Sequence, residues 1–115
     1  MFRTVIYKRF FTVLAVFIAS VDTAYSVSGE DDYNTNCILC HGEYAHGAMP
    51  GVPDLYINRA WTMELDSQLI KRINEGIQST DTAIAMPPKG GNPNLTDEDI
   101  KASLLHMRKL LKAGH

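Results

Sequence analysis

Residues Cys37-Ile38-Leu39-Cys40-His41 (CILCH) hold both cysteines of the 115-residue chain, with two residues between them and a histidine directly after. The pattern C-x-x-C-H is the attachment signal of a c-type haem. On a helical turn the side chains at i and i+3 project from the same side, so both sulfurs can reach the two vinyl groups of one haem. The motif therefore predicts one covalent haem c on Cys37 and Cys40, with His41 as an axial ligand of the iron.

Three other uses of the cysteines stay open at this point. A thioredoxin-type dithiol would need a βαβ pattern around the motif, and the sequence shows none. A structural zinc site needs four ligands, and Cys37, Cys40 and either His41 or His46 leave the fourth undefined. A plain Cys37–Cys40 disulfide is the third alternative. Haem is favoured because an exported chain meets the apparatus that attaches it, and the N-terminus indicates export.

The first 26 residues predict a signal peptide. Arg3, Lys8 and Arg9 form a basic n-region, and an apolar run of 12 residues follows at 10–21. A membrane-spanning helix needs about 20 such residues, whereas a run of this length is typical of a signal-peptide h-region.

Cleavage is expected after Ser26, because Ala24 and Ser26 place small residues at the −3 and −1 positions. The prediction is a signal peptide at 1–26 and a periplasmic domain at 27–115, with no stable membrane insertion after cleavage. An uncleaved N-terminal anchor is the alternative.

The charge of the chain argues against a nucleic-acid partner. The chain has 13 acidic and 11 basic side chains, a formal charge of −2 and no long basic run. The leader takes three basic residues and one acidic residue with it, which leaves a mature chain of 89 residues with a charge of −4. This acidic balance argues against a broad basic docking face.

Hydrophobic periodicity predicts a mostly helical domain without a convincing strand. Thr96 and Asp99 have the spacing of a capping box at the start of the last helix. Long loops separate the helices, so they bury too little apolar surface alone and need the haem as part of the core. The expected fold class is all-α, with three or more helices around one haem. We predict helices from Ser28 to about Cys40, from the Asp66 cap to near Gly76, and from Thr96 to just before Gly114.

The second axial ligand decides between electron transfer and an open iron. Met86 stands 45 residues after His41, far enough to reach the opposite face, and Pro87-Pro88 stiffens the backbone after it. A closed His/Met pair is typical of an electron carrier, which is not an enzyme. The alternative is a haem sensor or small peroxidase-like module with an open sixth position. Other side chains considered as ligands are Met49, Met63, Met107, His46 and His106.

From about Gly29 to Leu111 the chain resembles the class I monohaem c-type cytochromes, in particular the bacterial cytochrome c5 branch. The resemblance implies a small cytochrome c fold, Met86 as axial ligand, and redox protein donors and acceptors that touch the exposed haem edge transiently. The c5 branch often has a second cysteine pair after the Gly-Gly, where this chain has Asn92-Pro93-Asn94. The matching segments are Gly29 to His41, Met86 to Gly91 and Thr96 to Lys101.

The resemblance also implies a haem pocket built from Pro53, Leu55, Tyr56, Arg59 and Trp61. The backbone carbonyl of Pro53 would accept the proton on His41 Nδ1 and so fix the imidazole tautomer. Trp61 would lie near the buried haem edge and the propionates, and Arg59 with Tyr56 and Trp61 would satisfy a propionate.

The expected docking surface is a small apolar patch beside the motif and the Met86 loop, with a local set of cations. The apolar residues are Ile38, Leu39, Ala85 and Pro87, and the cations are Lys71, Arg72, Lys89 and the lysines of the last helix.

Overall fold

A computed structural model describes residues 22–114, with side chains from Gly29 onward. The predicted n-region and h-region lie outside the described residues. Over this range the chain is helical and has no strand, which confirms the all-α class. No helix in the described range is long and apolar enough to cross a membrane. The helices are α1 (Asp22–Asn36), α2 (Ile38–His41), α3 (Asp66–Glu75) and α4 (Asp97–Ala113), and 3-10 turns lie at Ala60–Met63 and Pro88–Gly91.

Helix α1 has different bounds from those expected. It is already helical at Asp22, the first residue that the structure describes, so the expected start at Ser28 is wrong. It ends at Asn36, since Cys37 leaves the helical region of the backbone with φ −120°. The single turn α2 then carries the motif. Cys37 N still donates to Tyr33 O at 2.8 Å, so α2 follows α1 closely.

Helices α1 and α4 cross at Gly29, where the backbones touch. A Cβ on Gly29 would clash with the carbonyl oxygen of Ala102. One turn further, Tyr33 is fully buried and its hydroxyl donates to Gly42 O at 2.6 Å. The His106 ring packs against Tyr33 in a tilted arrangement, with 5.4 Å between centroids. The crossing therefore positions the residue directly after His41.

Helix α3 begins differently from the expectation. Leu65 precedes its first residue, and the Gln68 side chain accepts from Leu65 N at 3.2 Å. Asp66 is therefore not the cap but the first helical residue, where its carboxylate pairs with Arg108 of α4 at 2.5 Å. The ion pair holds α3 against α4.

The capping box of α4 is confirmed. Thr96 Oγ1 accepts from Asp99 N at 3.2 Å, and Asp99 Oδ2 accepts from Thr96 N at 2.9 Å. The helix ends at Ala113, just before Gly114, whose φ is +70°. Local rules of capping were enough to place this start.

The core of the described residues is small, while several large apolar side chains are exposed. Met107 lies in this core, as expected for a residue on the apolar stripe of α4. The exposed ones are Leu39, Met49, Ile57, Met63, Leu65, Ile84 and Leu105. The buried ones are Tyr33, Ala45, Trp61, Leu69, Leu95, Ile100, Ala102, Leu104 and Met107.

Candidate haem site

The motif cysteines lie one helical turn apart as free, half-buried thiols. Cys40 N donates to Cys37 O at 3.3 Å and His41 N to the same oxygen at 2.9 Å, which makes the turn that the spacing predicts. Burial, and then the nearby Asp32 and Cys40, raise the pKa of the Cys37 thiol to about 11. The disulfide alternative is not formed, and both sulfurs remain available to one group.

His41 is ready to bind a metal ion. Burial lowers the pKa of His41, so the imidazole is held neutral, the form that ligates iron. Its Nδ1 is buried and has no hydrogen-bond partner. The expected bond to the Pro53 carbonyl is therefore not formed; that oxygen faces Gly47 instead, 3.4 Å from where a Cβ on Gly47 would lie. Two free thiols and a neutral, unpartnered imidazole on one turn are the donor set that a covalent haem requires.

The remaining alternatives for the cysteines lose support. Among the described residues, no group of three or more His, Cys, Asp or Glu side chains could hold a metal ion. His46, the possible zinc ligand, pairs with Asp54 through Nδ1 and Oδ2 at 3.0 Å and packs on Tyr56 with 4.5 Å between centroids. A thioredoxin-type βαβ unit is excluded because residues 22–114 contain no strand.

Met86 is half-buried and fixed by its own backbone. Its N–H donates to Ile77 O at 2.8 Å and its carbonyl accepts from Ile77 N at 2.9 Å. Beyond Pro87 the chain makes a 3-10 turn, and Lys89 Nζ donates to Leu95 O at 2.9 Å. Both sides of Met86 are thus held by the protein.

The segment after Met86 also contacts the end of α1. Asn92 Nδ2 donates to Asn36 Oδ1 at 2.8 Å, and Asn36 directly precedes Cys37. The structure therefore joins the cysteine motif and the Met86 segment, which lie about half the chain apart in sequence. Sequence reasoning missed this pair, because a single Asn–Asn contact has no periodic signal.

The pocket residues divide into two groups. Trp61 is buried and its indole N–H donates to Leu55 O at 3.0 Å, while its expected place near a haem propionate stays a prediction. Arg59 lies 5.0 Å over the Tyr56 ring and donates through Nε to Tyr56 O at 2.9 Å. Arg59 and Tyr56 form the expected pair, and Trp61 does not join it.

Arg108 was missed as a partner of Trp61. Its guanidinium lies 5.4 Å over the indole while it pairs with Asp66. The sequence alone suggests that Arg108 is a solvent-exposed charge on α4, because its partners Asp66 and Trp61 are distant in the chain.

The expected docking patch is only partly exposed. Ile38 packs against the core, whereas Leu39 is 80% exposed and Ala85 and Pro87 are exposed. The nearby cations are engaged: Arg72 pairs with Glu64 at 2.5 Å, and Lys89 binds backbone oxygens. These two cations are therefore held by contacts within the protein.

The sequence is similar to known haem proteins over most of its length. The family model described as cytochrome C oxidase, cbb3-type, subunit III matches residues 27–107. A cytochrome c-555 of Prosthecochloris aestuarii is 32% identical over 98 residues, which cover 81% of this chain and 95% of that protein. A cytochrome c-555 of Chlorobaculum thiosulfatiphilum is 28% identical over 83 residues, covering 71% and 92%.

The matched region includes the CILCH motif, the Met86 segment and most of α4. Neither comparison names the cytochrome c5 branch, so that narrower assignment stays a prediction. The chain therefore belongs to the cytochrome c family that this model describes, as a class I c-type cytochrome with one covalently bound haem c.

Proposed function

We propose that His41 and Met86 are the two axial ligands of the haem iron, and that the protein carries single electrons between redox proteins of the periplasm. That it is an electron-transfer haem protein and not an enzyme follows from its family. The observation that supports Met86 is the two-bond backbone pair with Ile77, which holds a half-buried methionine in one place. None of the other methionines considered as ligands combines partial burial with such a pair.

The chain contributes attachment, two neutral ligands and rigidity. Bound haem supplies a one-electron Fe(III)/Fe(II) couple. Cys37 and Cys40 would hold it covalently, and His41 would offer an uncharged imidazole. The Met86 thioether is also uncharged and favours the ferrous state relative to a second imidazole. Because Ile77, Pro87 and the following turn fix the backbone of Met86, the same ligands would serve both oxidation states.

Met86→Ala tests this ligation. The haem-loaded variant should lose the weak ferric absorption band at the red end of the visible spectrum, because that band arises from charge transfer between the iron and the methionine sulfur. Its reduced form should bind carbon monoxide, since one position is open. Absorption spectra with and without carbon monoxide measure both effects.

Met63→Ala is the matched control, because Met63 is 87% exposed and its loss should leave both spectra unchanged. Wild-type reduced protein that binds carbon monoxide readily would contradict the proposal and favour the sensor or peroxidase-like alternative.

The exposed side chains of Leu39, Ala85 and Pro87 support contact with redox proteins at the motif side of the molecule. Its residues belong to the haem-attachment turn and to the Met86 segment, so a partner there would approach the redox centre. A small apolar surface of this kind suits transient encounters. We assign the protein to the periplasm because the leader has the length and charge of a signal peptide.

A further inference from the structure

Gly76 ends helix α3 in a backbone conformation that other residues rarely adopt. Its φ is +82° and its ψ is 160°, a region occupied almost only by glycine. The next residue is Ile77, which makes both hydrogen bonds to Met86. The glycine is therefore the joint between α3 and the segment that carries the methionine.

Gly76 is also packed directly against that segment. A Cβ at this position would lie 2.9 Å from the carbonyl oxygen of Met86, and 3.0 Å from both N and Cδ of Pro88. These are backbone and ring atoms, which cannot rotate away as a flexible side chain can. The Met86 oxygen is the acceptor of the Ile77 N–H bond. A methyl group here would therefore push on the atom that closes the pair.

The segment cannot move away from Gly76 without losing contacts on its other side. A Cβ on Gly90 would lie 3.0 Å from Asn36 O, so this turn already touches the end of α1. Asn92 holds the same place through its bond to Asn36 Oδ1 at 2.8 Å. The residues that follow Met86 thus lie between the end of α3 and the end of α1.

We propose that Gly76 is a positioning residue for the axial methionine: its missing side chain lets the end of α3 pack against Met86 and Pro88 and sets how far Met86 reaches toward the iron. This role rests on the proposed ligation by Met86. Gly76 itself touches neither iron nor haem in this role, and acts through the backbone of Met86.

The test uses haem-loaded Gly76→Ala and a ligand that competes with methionine. Imidazole is titrated into the ferric protein, and loss of the iron–methionine band reports displacement of Met86. We expect Gly76→Ala to raise the apparent affinity for imidazole roughly tenfold or more. The reason is that overpacking would displace the segment and so weaken the bond between Met86 and the iron.

Gly91→Ala is the matched control. Gly91 lies in the same segment and has a positive φ of +90°, so a side chain there carries backbone strain as well. Its nearest atom outside the chain neighbours is Pro87 Cγ at 4.0 Å, an ordinary contact. Gly91→Ala should leave the imidazole affinity close to that of the wild type. Equal increases in both variants would attribute the effect to backbone strain and overturn the proposal.

A third variant separates the contact from a general loss of folding. Gly76→Ala with Pro88→Ala removes Cδ, one of the three atoms in the way, and should restore part of the band or of the imidazole resistance. If Gly76→Ala alone yields no haem protein, recovery in the double variant supports the proposal, and failure of both overturns it. An unchanged affinity in Gly76→Ala also overturns it. A wild-type protein without the iron–methionine band instead overturns the ligation by Met86.

Discussion

The carboxylate of Asp54 organises the loop that follows the haem motif. Its Oδ1 accepts hydrogen bonds from Tyr56 N and Ile57 N, each at 2.9 Å, and its Oδ2 lies 3.0 Å from His46 Nδ1. The His46 bond and then the Ile57 amide hold the pKa of Asp54 below its ordinary value. Because these partners bind the charged form, ionisation of Asp54 stabilises the folded loop.

We expect this carboxylate to contribute to acid sensitivity. A group whose folded pKa is depressed stabilises the folded state above its unfolded pKa, and the contribution is lost as the pH falls through the folded value. Asp54→Asn should therefore lower the free energy of unfolding at neutral pH, and the difference from wild type should shrink below about pH 4. Denaturant unfolding of the haem-loaded proteins at a series of pH values measures this.

The control for Asp54→Asn is Glu43→Gln, an exposed carboxylate in the same loop region. Its effect on the free energy of unfolding should be small at every pH. A difference between Asp54→Asn and wild type that keeps its full size down to about pH 2 would contradict the role of the charged carboxylate.

At this scale, sequence predicted those contacts that are local. Thr96 and Asp99 are three residues apart and form their capping box because both partners lie on one turn. Trp61 could not be placed in the same way. Its indole N–H donates to a backbone oxygen and its ring packs against the Arg108 guanidinium. No local motif around Trp61 predicts either contact.

The crossing of α1 and α4 depends on the absence of a side chain at Gly29. Alanine is a better helix former than glycine by about 1 kcal/mol, so propensity alone would make Gly29→Ala stabilising. The new Cβ, however, would clash with a backbone oxygen of α4, and overpacking typically costs about 1–3 kcal/mol. We expect the second effect to win and the free energy of unfolding to fall by up to about 2 kcal/mol.

Thermal or denaturant unfolding of haem-loaded Gly29→Ala measures the outcome. Asn34→Ala on the exposed side of α1 is the control, because it gains helix propensity without a new contact and should be neutral or slightly stabilising. A Gly29→Ala variant as stable as Asn34→Ala would show that the helices can separate at no cost.

The sequence predicted which segments are helical, but it did not always predict the residues at which the helices begin and end. Hydrophobic periodicity, together with cap residues and glycines at the helix ends, identified α3 and α4. The predicted start of α4 was correct because its cap is a local motif. The start of α1 was placed at Ser28, since a serine followed by acids has the pattern of a cap. A cap signal does not prevent the preceding residues from being helical, and residues 22–28 are helical here.

The described part of the protein has only a small core of its own, which a bound haem would complete. The CILCH motif predicts this haem from the sequence, and the free thiols and the unpartnered Nδ1 of His41 are consistent with it. The contact between the Met86 segment and α1 could not be read from sequence, because it joins Asn92 to Asn36 across 56 residues. It connects the two parts of the chain that the haem would also connect.

Processing of the leader is tested on the whole protein. We expect the native protein to begin at Val27 and to carry the mass of one haem, as measured by intact mass spectrometry. Ala24→Arg, which removes the small residue at the −3 position, should block processing and leave a longer chain. A native protein that begins at Met1 would contradict the cleavage prediction. Because residues 22–26 are helical, cleavage after Ser26 would shorten α1 but leave its crossing at Gly29.

Residues 78–85 form a loop whose two ends are joined by the hydrogen bonds between Ile77 and Met86. Most of this loop is exposed. Loop length changes the entropy of closure only slowly, and it does not change where a closed loop begins and ends. The loop is therefore a suitable attachment point: a peptide inserted here could tether the protein to an electrode or to an engineered redox partner without changing the backbone pair that holds Met86, the proposed ligand.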